Sequence, residues 1–157
     1  MKKIGIILFA LVLTGSATFA QNKTANSLTY KTAAGIKIWN GGALDLKTFL
    51  DDKNALEFIG FFYNHGTRLS ALYEIHGDLN TETNLKWYIG PGAHVGFYNS
   101  KYAGGNTYVG IDGVIGMDYK FKDLPLNLSL DWQPSFEFGS GEGFIGNYGG
   151  LAVRYTF

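Results

Sequence analysis

Strict alternation of apolar and polar residues, held over unusually long segments, restricts this chain more than any other feature. The segment 126–138 carries Leu126, Leu128, Leu130, Trp132, Pro134, Phe136 and Phe138 at even positions. Asn127, Ser129, Asp131, Gln133, Ser135 and Glu137 fill the odd ones. Successive side chains of a strand point to opposite faces, so a period of two sorts these residues onto two surfaces, whereas a helix would scatter them. The segment 85–98 behaves alike, with Leu85, Trp87, Ile89, Val95 and Phe97 against Lys86, Tyr88, His94 and three glycines. Both segments exclude a helical reading.

The same period gives further strands at 107–121, 68–76 and 148–157, and weaker ones at 32–39, 43–50 and 55–64. In the last of these Ile59 and Phe61 fall on the Glu57 side, so both faces are apolar. Eight strands of about 9–13 residues are the number and length expected of a closed antiparallel up-and-down transmembrane β-barrel. With both ends of the barrel domain facing the periplasm, 51–54, 77–84 and 122–125 are periplasmic turns. The segments 40–42, 64–67, 99–106 and 139–146 are then short extracellular loops.

Lys2 and Lys3 precede an apolar run at 4–13 and a small-residue stretch ending at Ala20. This is the layout of a cleaved secretory signal peptide, 1–20, and the run is too short for a spanning helix. The barrel domain is then 21–157. Without the leader 11 basic and 13 acidic residues remain, a net charge of −2, which excludes a basic nucleic-acid footprint. With no cysteine, disulfides and thiolate chemistry are excluded. Charged residues make up 17% of the chain, below the quarter or so usual for soluble domains, as suits a surface that meets lipid.

Period alone does not say which face is outside; a lipocalin-like soluble barrel alternates with its apolar face inward. Three features point the other way. An eight-stranded interior barely accommodates side chains, and the apolar faces hold most of the Trp and Phe, while the opposite faces hold Gly90, Gly92, Gly96, Gly110, Gly116 and Gly150. Aromatics gather towards the strand ends as a membrane girdle: Trp87, Tyr119, Phe121, Tyr155 and Phe157 near the periplasmic rim, Phe62, Phe97 and Phe138 near the outer one. Trp132 is counted in that girdle, and Phe49 and Trp39 fit it less well. The polar faces set six cations (Lys37, Lys47, Arg68, Lys86, Lys120, Arg154) against seven anions (Asp45, Glu57, Glu74, Asp112, Asp118, Asp131, Glu137). A near-matched set of this kind pairs inside a plugged lumen. The expected lumen network is Glu57, Arg68, Glu74, Lys86, His94, Asp112, Asp131, Glu137 and Arg154. Pro91 and Pro134 each remove a ladder donor, for which a local bulge is the expected remedy.

The leader, the eight alternating segments and the final strand Gly150-Leu151-Ala152-Val153-Arg154-Tyr155-Thr156-Phe157 resemble the small eight-stranded outer-membrane barrels, the OmpA transmembrane-domain and OmpX group. The resemblance implies an integral protein of the Gram-negative outer membrane, monomeric, in contact with lipid including lipopolysaccharide. It also implies recognition of the terminal strand by the barrel-insertion machinery. The long protruding strands of OmpX-type adhesins have no counterpart among these short loops.

No catalytic, cofactor or metal site is expected. His65 with Ser70 or Ser100 and Asp112 or Glu137 is the one set that a lipid A-modifying enzyme could assemble at the outer rim, and its spacing is not diagnostic. Glu74 and His76 share a strand face but lack a third ligand. The function expected is therefore that of a non-enzymatic cell-envelope barrel supporting envelope integrity or surface ligand contact. The alternatives are a lipid-modifying enzyme and a secreted lipocalin-like binder.

Overall fold

The computed structural model describes residues 30–39, 41–64, 66–79, 84–98, 107–138 and 143–157. The expected leader and the expected loop 99–106 lie outside these residues, as do His65 and Ser100. Every regular element among them is a strand. The ten segments are β1 (Thr32–Ile38), β2 (Gly42–Phe49), β3 (Asn54–Tyr63), β4 (Gly66–Asp78), β5 (Leu85–Tyr98), β6 (Thr107–Lys120), β7 (Leu126–Trp132), β8 (Ser135–Phe138), β9 (Phe144–Ile145) and β10 (Gly149–Thr156).

All pairings are antiparallel, and each strand lies beside its sequence neighbours. β1 bonds both β2 and β10, β5 bonds β6, and β6 bonds β7 and β8 in one continuous register. β7 with β8 therefore forms one stave, and β9 with β10 another. The result is a closed eight-stave up-and-down barrel without a free edge. Residues 30 and 157 share one end with the turns at 50–53 and 121–125 (the terminal rim); Trp39, Gly41 and Asn64 mark the far rim.

The register measures the slant. From Ala33 it runs through Lys47, Glu57, Leu72, Gly92, Asp112 and Ser135 to Ile145. Ala33's own partner on that last stave is Thr156, eleven residues further on. One of those eleven is an extra residue at 146–148, where the register against the neighbouring stave shifts by one. The remaining ten are the shear, which corresponds to a strand tilt of about 40°. An even shear returns inward residues to inward residues, so alternation survives closure.

The two prolines sit on either side of Gly113, opposite it in the register across β5, β6 and the seventh stave. Gly113 donates to Pro134 O at 2.8 Å, a bond that Pro134 cannot return. Opposite Pro91 the β4–β5 ladder is interrupted at Tyr73 and Glu74, yet its register is the same on both sides. No bulge therefore forms at Pro91. Among the described residues the register shifts instead on the stave facing Pro134, at 146–148, where Gln133 N still reaches Tyr148 O at 2.9 Å.

The apolar faces point outward. Among the described residues 28 large hydrophobics are exposed and 12 hydrophobics are buried, whereas 20 polar or charged residues are buried. Trp132 and Leu130 are about half exposed while Asp131 is 7% exposed. A lipocalin-like arrangement, with the apolar face inside, is not the one this chain adopts.

Candidate functional site

The interior is the most heavily constructed part of the molecule. Its ion pairs fall into two clusters. In the larger, Arg154 Nε and Nη2 grip both oxygens of Asp45 at 2.8 Å, and Nη2 also reaches Glu57 Oε1 at 2.8 Å. Nη1 bonds Asn127 Oδ1 at 3.0 Å and Ser129 Oγ at 2.8 Å. All five guanidinium donors are used. Lys37 bridges Glu57 and Asp131, at 3.2 and 2.6 Å, and Lys47 lies 3.2 Å from Glu57 and 2.8 Å from Glu74. Tyr88 donates to Asp131 Oδ2 at 2.7 Å and lies beneath the Lys47 ammonium. Glu74 is also 2.9 Å from His76 Nε2, so the two candidate metal ligands bind each other.

The smaller cluster lies towards the far rim. Arg68 bonds Asp112 Oδ1 at 2.5 Å, Ser70 Oγ at 3.2 Å and Ser135 Oγ at 3.3 Å, and stands 4.0 Å from Glu137. His94 Nδ1 is 2.8 Å from the same Asp112 oxygen, and its Nε2 is 3.7 Å from Glu137. Leu72 on β4 and Val114 on β6 separate the clusters along their strands, within an apolar group that also holds Ala43, Ile59 and Phe61. Ile59 and Phe61 thus fill the interior. At the terminal rim Phe49 closes the lumen against Tyr30 and His76, with ring centroids 5.3 and 4.8 Å away.

Eight of the nine residues expected in the lumen network are buried in these clusters. Lys86 is not; its side chain is 29% exposed and pairs with Asp78 at 3.5 Å on the terminal rim. Lys120 also turns away from the anions, and its ammonium donates to Phe121 O and Leu124 O, both at 2.7 Å. The expected balance of six against seven is therefore replaced by four cations that pair with the seven interior anions among the described residues, Lys120 being buried on carbonyls instead. The cause is depth: both lysines start at the rim, where a four-carbon stem reaches Asp78 from Lys86 and the carbonyls of the 121–125 turn from Lys120.

Charge pattern alone does not foretell how β5 packs on β6. On the inner face every register pair from Tyr88 to Gly96 sets a glycine against a larger group: Tyr88 with Gly116, Val114 with Gly90, Asp112 with Gly92, His94 with Gly110, and Tyr108 with Gly96. A methyl group at Gly96, Gly110 or Gly116 would collide with the ring of its partner. The signal was present as glycine opposite ring, legible only once the register is known.

Of the girdle residues, Trp87, Phe97, Trp132, Phe138, Tyr155 and Phe157 are exposed and Tyr119 and Phe121 half-buried. Tyr119 meets Phe121, and Tyr155 meets Phe157, edge to face at the terminal rim. Trp132 is at neither rim. It is the middle residue of its stave, and its indole N–H donates to Gly146 O at 2.8 Å, a carbonyl set free by the neighbouring irregularity. Of the possible catalytic set, Ser70 is buried and bonded to Arg68, while Asp112 is shared between Arg68 and His94. Comparison with protein-family models, curated proteins and solved structures finds no match.

Proposed function

We propose that this chain is an integral protein of the bacterial outer membrane, a non-enzymatic barrel with a plugged lumen. Its role would be to support envelope integrity or to present its short far-rim turns to a surface ligand. The observation that carries this reading is the reversal of the usual arrangement, with an apolar outer wall around a charged interior. Burying a Leu, Ile or Phe side chain is worth about 1.5–3 kcal/mol. With 28 large hydrophobics half exposed, the unburied apolar surface amounts to roughly tens of kcal/mol, more than the ~5–15 kcal/mol of a typical domain's stability. Such a wall in water would associate with anything apolar; in hydrocarbon it is at its lowest free energy.

The same reading accounts for the interior. Arg68, Arg154, Lys37 and Lys47 are wholly buried, and a Lys or Arg on the lipid face would cost about 2–4 kcal/mol at mid-depth. Among the described residues side chains pack through both clusters, as in an eight-stranded barrel whose interior is just wide enough for them. The terminal strand turns Leu151, Val153, Tyr155 and Phe157 outward, the side from which insertion machinery would read it. We take the protein to be exported by its leader, monomeric, and in contact with lipid including lipopolysaccharide.

The test is folding from urea into detergent micelles or lipid vesicles. The folded protein should give β-rich circular dichroism and run at a different gel position when unheated. A chain that stays folded and monomeric in plain buffer, without detergent, refutes the reading.

A further inference from the structure

At the far rim, between the end of β1, the end of β3 and the irregular stretch 146–148, the barrel holds an open-mouthed cavity of about 290 Å³. Its walls are aromatic: Trp39, Phe62, Tyr63 and Tyr148, with the buried ring of Phe61 at the base. Asn64 and Asn147 line it from exposed positions.

The walls are fixed. Trp39 Nε1 donates to the Asn147 carbonyl at 2.7 Å, tying the end of β1 to the last stave. The Tyr63 and Tyr108 hydroxyls share a 2.6 Å hydrogen bond, and the Arg68 guanidinium lies 3.9 Å from the centre of the Tyr148 ring. Gly41 lets the turn press against β3, since a Cβ there would stand 2.9 Å from Phe62 O. A pocket whose walls are braced in this way loses little freedom when a ligand enters.

We infer that this cavity binds a single pyranose ring of a glycan. The volume lies at the lower end of the ~300–1,000 Å³ of small-molecule sites, which suits one ring. Among the described residues that line it none is charged, and Arg68 is buried behind Tyr148 and held by Asp112, Ser70 and Ser135, so none of them offers an anion a free cation. A wholly apolar ligand would strip water from the two asparagine amides without replacing their hydrogen bonds. A pyranose has what both parts of the lining need: C–H faces for the rings, and hydroxyls on its edge for the amides. The sugar comes either from a soluble glycan or from a membrane glycolipid such as lipopolysaccharide. Free-sugar binding depends on the barrel fold alone; only the glycolipid source rests on the membrane reading.

The chain has three tryptophans, and their indole N–H signals serve as probes in ¹⁵N-labelled protein folded in micelles. A Trp39→Phe variant assigns the Trp39 signal. Glucose, galactose, mannose and N-acetylglucosamine form one set of titrations and lipopolysaccharide the other. The expected result is a saturable shift of the Trp39 signal, with Kd on the order of 1 mM for a free sugar, while Trp87 and Trp132 stay still. Replacing both exposed asparagines (Asn64→Ala with Asn147→Ala) should weaken binding about tenfold or more, equivalent to the loss of one or two hydrogen bonds. A shift with free sugars assigns a soluble source, and one with lipopolysaccharide alone assigns the glycolipid. The inference is overturned if the Trp39 signal ignores every sugar and lipopolysaccharide. It is equally overturned if the asparagine double variant binds every sugar and lipopolysaccharide as tightly as the parent does. Gel mobility and dichroism on the same samples keep a failure of the membrane reading apart from a failure of sugar binding.

Discussion

Arg154 holds the last stave to three others, because its five hydrogen bonds end on β2, β3 and β7. Replacing it with Met keeps much of the volume but leaves Asp45 and Glu57 short of a partner in a dry interior. Removing one partner of a buried pair costs about 3–5 kcal/mol, so Arg154→Met should move the urea midpoint of the micelle-folded protein sharply downward. Arg154→Lys keeps the charge but not the fork and should fall between the two; a Met variant with an unchanged midpoint contradicts this account of the network. The glycine–ring pairs make a second prediction. Gly96→Ala drives a methyl group into the Tyr108 ring, an overpacking that costs about 1–3 kcal/mol. In a Tyr108→Ala background the same change should cost much less, and the double-mutant cycle should return that difference as coupling. Purely additive losses would show that the contact is not what requires glycine.

At the scale of elements, parity was legible and depth was not. Alternation along 126–138 or 85–98 tells which side of the wall a residue occupies, because the strand period is two whatever the tilt. How far along the barrel axis it lies depends on the shear, which emerges only from the pairing of all eight staves. That is why Lys86 and Lys120 share the parity of the buried network yet belong to the rim, and why Trp132 has the parity of the rim aromatics although it lies midway. The prolines follow the same logic. The sequence shows a missing donor at Pro91, but not that the ladder could skip Tyr73 and Glu74 without losing register. The tight turn at the terminal rim was readable from its residues, since Asp51 and Asn54 are turn formers. Asp51 Oδ1 accepts from the Lys53 and Asn54 backbone N–H groups, both at 2.8 Å, and the Asn54 side-chain amide bonds both carboxylate oxygens. These bonds, the Asn54 side chain first, hold the Asp51 pKa below the ordinary carboxylate value. A lowered folded pKa means that the turn is stabilised above the unfolded value of about 3.9 and loses that support as pH falls through the folded one. The Lys53 and Asn54 amide signals should therefore stay constant above about pH 4 and shift below it. Asp51→Asn should abolish that titration; an unchanged curve in the variant means that another group is responsible.

For the molecule as a whole, the question is whether the outer wall sits in hydrocarbon, and tryptophan depth answers it. The seventh stave runs from Leu126 to Phe138 with Trp132 at its centre. Thirteen residues rising ~3.3 Å each at a tilt of about 40° span roughly 30 Å, close to the apolar thickness of a bilayer. Trp132 should then lie near the bilayer midplane, a place where an indole N–H needs a protein acceptor, and Gly146 O supplies one. Trp87 faces outward near the start of β5 and opposes Gly77 and Met117 close to the terminal rim, so it should lie at headgroup depth. Variants that keep only Trp132 (Trp39→Phe with Trp87→Phe) or only Trp87 (Trp39→Phe with Trp132→Phe), folded into vesicles of brominated phosphatidylcholine, separate the two. Bromine near the chain ends should quench Trp132 more than Trp87, and bromine near the headgroup should reverse the order. A barrel lying on a membrane or free in water would show no such crossover, and aqueous iodide would reach Trp132 as easily as Trp87. The ordering depends on shear and register alone, so it tests in one measurement both the geometry of closure and the solvent that the outer wall was built for.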